Sequence, residues 1–300
     1  MAQIQTARLA LEYDTFGNED DRPLLLVMGL GAQMTAWNEE FCTLLAERGH
    51  FIIRFDNRDC GLSQKFPEFG VPNIDAVREA VDKGEQVEVP YQLTDMADDA
   101  FSLLDALGIE RAHVCGASMG GMIVQAMAIA NAERVLSMTS IMSATGNRDI
   151  ELSEPEAFEA LMSPPGNTRE ESIERSLKVG KVIGSLPEFL DPIHERRARA
   201  AAAYDRSFYP AGIARQMSAI SVAGDRSPAL GNVKVPTLVI HGTVDPLVRF
   251  ECGEDTRDAI ADAEMLAVTG MGHDMPRGFW PTIIEHITLR THHEGRFARD

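Results

Sequence analysis

Three observations on this 300-residue chain predict an α/β fold: a mostly parallel sheet flanked by helices, with a helical segment inserted into it. Across the first half, short continuous apolar runs alternate with amphipathic stretches. That is the pattern of strands buried on both faces and of the helices that cover them. Strand-like runs then vanish between about Gly146 and Gly231, where helix-start signals crowd together. They return near Pro236 and Ala263, so the sheet is resumed after the insertion.

Each element has its own signal. Leu9–Asp14 alternates and reads as an early strand. Leu24–Met28 is continuously apolar and runs into Gly29-Leu30-Gly31. Phe41–Arg48 reads as a helix, and Phe51–Phe55 as the next strand. Leu93–Leu107 has helical spacing at Met96, Ala100, Leu103, Leu104 and Leu107. Ala112–Cys115 reads as a buried strand, Gly121–Ala130 as the buried helix that follows, ended by Asn131, and Val135–Met142 as a further strand.

Within the insertion, Ser153-Glu154-Pro155-Glu156 and Thr168-Arg169-Glu170-Glu171 spell capping boxes. Asp191-Pro192 opens another helix, with the aspartate as cap and the proline at the first helical position. Breakers at Pro164-Pro165-Gly166, Gly184–Pro187 and Tyr209-Pro210 separate these helices. Strands return at Pro236–Gly242 and Ala263–Thr269, and a terminal helix starts near Arg277, with a polar, frayed tail beyond Leu289. Residues 1–145 and 232–300 are expected to form the core and 146–231 a helical cap. The cap should sit near the carboxyl ends of the strands, where open α/β sheets bind ligands.

Composition excludes several function classes. A hydrophobic content of 44% with 25% charged residues is that of a soluble globular protein. The net charge of −18 argues against nucleic-acid binding and against docking on anionic membranes. Met1–Arg8 has no basic region followed by an apolar core, and no stretch is long and apolar enough to span a bilayer. Cys42, Cys60, Cys115 and Cys252 are scattered without C-x-x-C spacing. Reduced, packed thiols in a cytoplasmic protein are expected, with neither a disulfide framework nor a zinc site.

Chemistry concentrates at Gly116-Ala117-Ser118-Met119-Gly120, a G-x-S-x-G pattern. The pattern alone is weak, but here it lies between a buried strand and a small-residue helix, the setting of a nucleophile elbow. Such a turn pushes the serine into a strained backbone conformation with its hydroxyl at the tip. A Cβ at Gly116 or Gly120 would press on the neighbouring strand or helix.

A serine hydroxyl is a poor nucleophile at neutral pH and needs a base, itself held by a third group. Asp245 lies just past one strand end and His273 just past the last strand, so the chain order is Ser118, Asp245, His273. In these roles Ser118 attacks an acyl carbonyl, His273 moves the proton, and Asp245 orients the imidazole. The oxyanion donors expected are the backbone N–H of Met119 and that of Leu30, each worth roughly 3–4 kcal/mol of transition-state stabilisation. The loop's backbone geometry therefore matters more than its side chains.

Rival residues have plainer readings. Asp149 follows the preceding core strand and is the alternative acid to Asp245; Asp274 is a weaker one. His241 and His113 read as packed core histidines, and His292-His293 as solvated tail residues. Phe55–Asp59 reads as a turn closed by side-chain hydrogen bonds and an internal ion pair.

From about Ile4 to Ile287 the chain resembles the α/β-hydrolase superfamily. Within it, four stretches resemble the capped bacterial esterases that include the aclacinomycin methylesterases: Leu26-Val27-Met28-Gly29, the Arg54–Ser63 turn, Gly116–Gly121 and Gly270–His273. The resemblance places triad and oxyanion roles on Ser118, Asp245, His273, Met119 and Leu30. Leu30 stands where the methylesterases have a glycine, a departure expected to reshape the pocket. The Phe208–Gln216 stretch is closer to general carboxylesterases.

A cofactor-independent, metal-free carboxylic ester hydrolase is thus expected, acting through an acyl-enzyme on small to medium, largely apolar esters as a monomer or homodimer. Ser118 speaks against dehalogenases and epoxide hydrolases, which use aspartate there. Met28-Gly29-Leu30-Gly31 does not match the His-Gly-Gly-Pro-Gly of proline iminopeptidases. A lactonase, thioesterase or acyltransferase shares every residue named, and a slow-turnover ligand receptor retains the same triad.

Overall fold

A computed structural model describes residues 1–292. Strands are β1 (Ala2–Gln5), β2 (Ala10–Phe16), β3 (Arg22–Val27), β4 (His50–Phe55), β5 (Ala112–Ala117), β6 (Val135–Ile141), β7 (Thr237–Gly242) and β8 (Glu264–Val268). They form one sheet in the order β1-β2-β4-β3-β5-β6-β7-β8. Pairing is antiparallel at β1–β2 and β2–β4 and parallel everywhere else.

Core helices are α1 (Glu39–Ala46), α2 (Ile74–Asp82), α3 (Leu93–Ala106) and α4 (Met119–Ala130). Between β6 and β7 come α5 (Pro155–Met162), α6 (Arg169–Ile183), α7 (Ile193–Arg206), α8 (Pro210–Val222) and α9 (Ser227–Leu230). The chain then adds α10 (Phe250–Ala259) and α11 (Trp280–His292). Successive residues of β3 point to opposite faces of the sheet. Leu25 and Val27 pack with α3 and α4, while Leu24 and Leu26 pack with Phe41 of α1 and Ile283 of α11. Both faces of β3 are covered, which is why Leu24–Val27 carries no polar alternation.

The segment between β6 and β7 holds no strand, as its sequence implied. Its apolar core is thin. Helix α7 buries no residue fully, and the small cluster beneath α5 and α6 is Ala157, Ile183 and Leu247. Ala219 of α8 and Leu230 of α9 join the main core, and polar contacts add to this seat. Arg215 of α8, 1% exposed, forms a two-pronged pair with Asp59 at 2.7 and 2.9 Å, and Tyr91 donates to the same carboxylate at 2.9 Å. Gly212 is needed at this seat, because a Cβ there would lie 2.0 Å from the Asp59 carbonyl oxygen.

Several expectations need correction. The 55–59 turn has no internal ion pair: Arg58 reaches Asp99 of α3 at 2.6 and 2.7 Å, and Asp59 reaches Arg215. Sequence proximity suggested the internal pair, but both side chains point away from the turn into other elements. Asp191 does not cap α7; Pro192 holds the cap position, and Asp191 accepts from the Arg277 amide and pairs with Arg199. Ser153 makes no cap for α5, which Glu154 precedes without a side-chain bond. Thr168 does cap α6, accepting from the Glu171 amide, while Glu171 reaches back to Asn167 rather than to Thr168.

The chain beyond Leu289 continues as helix to His292, with Arg290 and Thr291 buried; His293 lies outside the described residues. Short, polar β1 and the once-anchored α2, with only Val77 buried, escaped the sequence reading.

Removing one partner of a buried ion pair strands the other charge, at a cost of about 3–5 kcal/mol. Asp59→Asn keeps the side-chain volume and suits the left-handed backbone at φ 62°. It should destabilise the protein by about that amount, read as a fall in the guanidinium chloride midpoint. An unchanged midpoint would show that the Arg215 pair does not seat α8.

Candidate active site

Ser118 stands between the last residue of β5 and the first of α4, at φ 55° and ψ −122°. A side chain pays for that conformation, so the surroundings must enforce it. They do so by close approach. A Cβ at Gly116 would lie 2.1 Å from the Gly120 carbonyl oxygen, and one at Gly120 would lie 2.1 Å from the Val27 carbonyl oxygen. Helix α4 can therefore start directly against β3 and β5. The Ser118 amide is tied to Ile141 of β6 at 2.9 Å. Its hydroxyl projects from the carboxyl edge of the sheet into a cavity.

His273 Nε2 lies 3.0 Å from Ser118 Oγ, and its Nδ1 lies 2.8 Å from Asp245 Oδ2. The other Asp245 oxygen accepts from the Leu247 and Val248 amides, each at 2.9 Å. These bonds fix the carboxylate, which in turn holds the proton on Nδ1 and leaves Nε2 as acceptor for the serine hydroxyl. The structure thus brings Ser118, Asp245 and His273 together from sites up to 155 residues apart.

The rivals lie elsewhere in function. Asp149 is exposed, its amide donating to Asn147. Asp274 accepts from the Ser185 amide at 2.9 Å and from its hydroxyl, binding the loop of His273 to the end of α6. The His273 amide also donates to Ile183 at 2.7 Å. Sequence spacing gave no sign of this second tie between the histidine and the inserted helices.

Leu30 and Met119 flank the serine from two sides. Gly29 sits so close that a Cβ there would lie 3.0 Å from Ser118 Cβ. Among the described residues neither the Leu30 nor the Met119 N–H donates a hydrogen bond. The cavity measures about 630 Å³. Core side chains including Leu30, Met119, Met122 and Met142 line one side, and Phe158, Leu161, Leu177, Met217 and Ile220 from the insertion line the other. The lining is mainly apolar, as ligand pockets of this size commonly are.

Other titratable groups are packed, not poised. His241 is fully buried and bonded to the Val248 carbonyl at 2.8 Å; burial pushes its pKa down. His113 bonds to Ser137 at 2.7 Å, and burial pushes it down to about 3. His50, on β4, is pushed down to about 4 in the same way. All four cysteines are buried free thiols, and burial holds Cys42, Cys60 and Cys252 up at about 12. Among the described residues no group of three or more His, Cys, Asp or Glu is arranged to hold a metal ion, and no helix is long and apolar enough to cross a membrane.

Comparison with known proteins agrees with this architecture. The family model for the alpha/beta hydrolase fold matches residues 22–275. The chain belongs to the α/β hydrolase family. It is 26% identical over 292 residues to rhodomycin D methylesterase DauP of Streptomyces sp. (strain C5), covering 91% of this chain and 92% of that one. It is 27% identical over 251 residues to 3-oxoadipate enol-lactonase 2 of Acinetobacter baylyi, covering 82% and 80%. Among solved structures, the enol-lactonase from Burkholderia xenovorans LB400 superposes with a TM-score of 0.73 at 21% identity, over 96% of this chain and 99% of that one. That likeness is one of fold.

The packed histidines generate a pH prediction. Unfolded, a histidine titrates near 6.5, whereas His113 and His50 resist protonation in the fold down to about 3 and about 4. Above about 6.5 both states are neutral and the full stability is present. As pH falls through the window below that, the unfolded chain takes up protons the folded one refuses, and stability is lost by up to ~1.4 kcal/mol per pH unit per histidine. Urea midpoints measured from pH 7 to pH 4 should fall, and His113→Gln should make the slope shallower. An identical slope in the variant would contradict the assignment.

Proposed function

We propose that the protein hydrolyses carboxylic esters through an acyl-enzyme on Ser118. The observation that carries this reading is the continuous chain from Ser118 Oγ through His273 to Asp245, opening on a largely apolar cavity. The methylesterase relative supports the reaction class, and the cavity supports esters of small to medium size with apolar parts.

Ser118 Oγ attacks the acyl carbon while its proton passes to His273 Nε2. The carbonyl oxygen becomes an oxyanion that the Leu30 and Met119 N–H groups receive. Asp245 stabilises the imidazolium and keeps its proton on Nδ1. Collapse breaks the ester C–O bond, and the His273 proton goes to the departing alkoxide. Water then repeats the sequence on the acyl-serine: His273 takes its proton, the acid leaves, and Ser118 is restored.

In this reading residues 146–231 act as a cap that shapes the acyl and alcohol subsites. The enol-lactonase relative extends the reading to lactones, which are cyclic esters and need the same steps.

Ser118→Ala should lower kcat on a short-chain p-nitrophenyl ester by at least about 10⁴-fold, with little change in KM or in melting temperature. Turnover that survives this substitution in folded protein would sink the proposal.

A further inference from the structure

The loop that carries Leu30 is held by the inserted helices as well as by the turn after β4. The Gly31 amide donates to Gln216 Oε1 of α8 at 2.8 Å, and Gln216 Nε2 donates to the Arg58 carbonyl at 2.8 Å. Gln216 is 1% exposed, so its amide bridges two backbones where water does not compete. Two residues on, Gln33 Nε2 donates to the Ala203 and Ser207 carbonyls at the end of α7, at 2.6 and 2.9 Å. Arg206 of α7 clamps Gln33 Oε1 at 2.6 Å and Asp56 Oδ2 at 2.8 Å. Asp56 is fully buried and accepts from the Met34 amide at 2.7 Å and the Leu62 amide at 2.8 Å.

Packing repeats the message. Gly31 has φ +64°, and a Cβ there would lie 2.8 Å from the Ile213 side chain of α8. Residues 31, 33 and 34 are thus each anchored to α7, α8 or Asp56, while Gly29 rests against Ser118. Leu30 sits between the two anchors. The Leu30 N–H lies in the Gly29–Leu30 peptide plane; holding the adjoining Leu30–Gly31 plane through the Gly31 N–H, with Gly29 against Ser118 on the other side, limits how far that plane can rotate.

We infer that Gln216 is a positioning residue: through the Gly31 N–H it aims the Leu30 N–H at the oxyanion, with Arg206 securing the loop beyond. This rests on the serine mechanism above and adds that half of the oxyanion hole is built by the inserted helices. The cap then completes the catalytic geometry as well as enclosing the substrate. Loosening α8 from the loop costs rate rather than substrate binding, because the ground-state carbonyl needs the Leu30 N–H less than the oxyanion does.

Gln216→Met keeps the length and bulk of the side chain and removes both hydrogen bonds. It should lower kcat about 10- to 100-fold, as sub-ångström to ångström misplacement of a donor does, with KM within about twofold. A second readout separates positioning from general structure. An alkyl trifluoromethyl ketone is attacked by Ser118 Oγ, which gives its proton to His273, and the former carbonyl oxygen becomes an oxyanion in the same hole. Its inhibition constant should weaken by about the factor lost from kcat. A folded variant with kcat unchanged overturns the inference, as does a lost kcat with ketone affinity intact, or a raised KM at full kcat. Should Gln216→Met not fold, Arg206→Met, which removes the separate tie of the same loop through Gln33 and Asp56, is read by the same outcomes. Labelling of wild-type Ser118 by a fluorophosphonate, run alongside, separates the two failures. No label refutes the serine mechanism itself, whereas label with an unaffected variant refutes only the role of Gln216.

Discussion

The close approach of α4 to the sheet is the constraint from which the rest follows. With glycine at 116 and 120 the helix begins where side chains would otherwise hold it away from β3 and β5. The chain must then turn within one residue, and Ser118 takes the left-handed strain of that turn. Strain of this kind persists only where surrounding contacts over-determine it. Here they are helix α4, buried from Met119 to Ala128, the tie from Ser118 to β6, and Gly29 pressed against the serine. The same turn puts the Met119 N–H beside the hydroxyl, so proposed nucleophile and one proposed oxyanion donor come from a single backbone decision.

Much of this was legible in the sequence because its causes are local. Central strands such as Leu24–Met28 have two apolar faces, and G-x-S-x-G has meaning only between such a strand and a small-residue helix. Chain order together with position just past a strand end favoured Asp245 and His273, with Asp149 left as the alternative acid and His241 read as a core residue; hydrogen bonds in the structure join Asp245 to His273 and His273 to Ser118. What escaped was non-local or weakly patterned. Asp59, Arg58 and Asp56 look self-sufficient as a turn, yet their partners are Arg215, Asp99 and Arg206. No spacing rule links residues 156 positions apart. Caps missed by one residue at Asp191 and Ser153 show the same limit, since both side chains had tertiary alternatives or none at all.

The inserted helices make sense once their polar seat is recognised. An insertion with so little apolar core gains its orientation from hydrogen bonds and ion pairs, which specify direction as well as proximity. Arg215, Gln216 and Arg206 dock onto the 56–62 turn and the Gly29–Met34 loop, while Ser185 and Ile183 dock onto the His273 loop. Both loops that would serve the reaction are therefore shared between the core and the insertion. The proposed catalytic groups are tied to the helices between β6 and β7, and apolar side chains of both line the pocket.

The central claim is that the strained serine carries the acyl group during turnover. Rapid acid quench of the enzyme with a short-chain p-nitrophenyl ester, followed by peptide mass spectrometry, tests it directly. The account predicts the acyl mass increment on the peptide containing Ser118, at that residue. An increment on any other residue while product accumulates would contradict it.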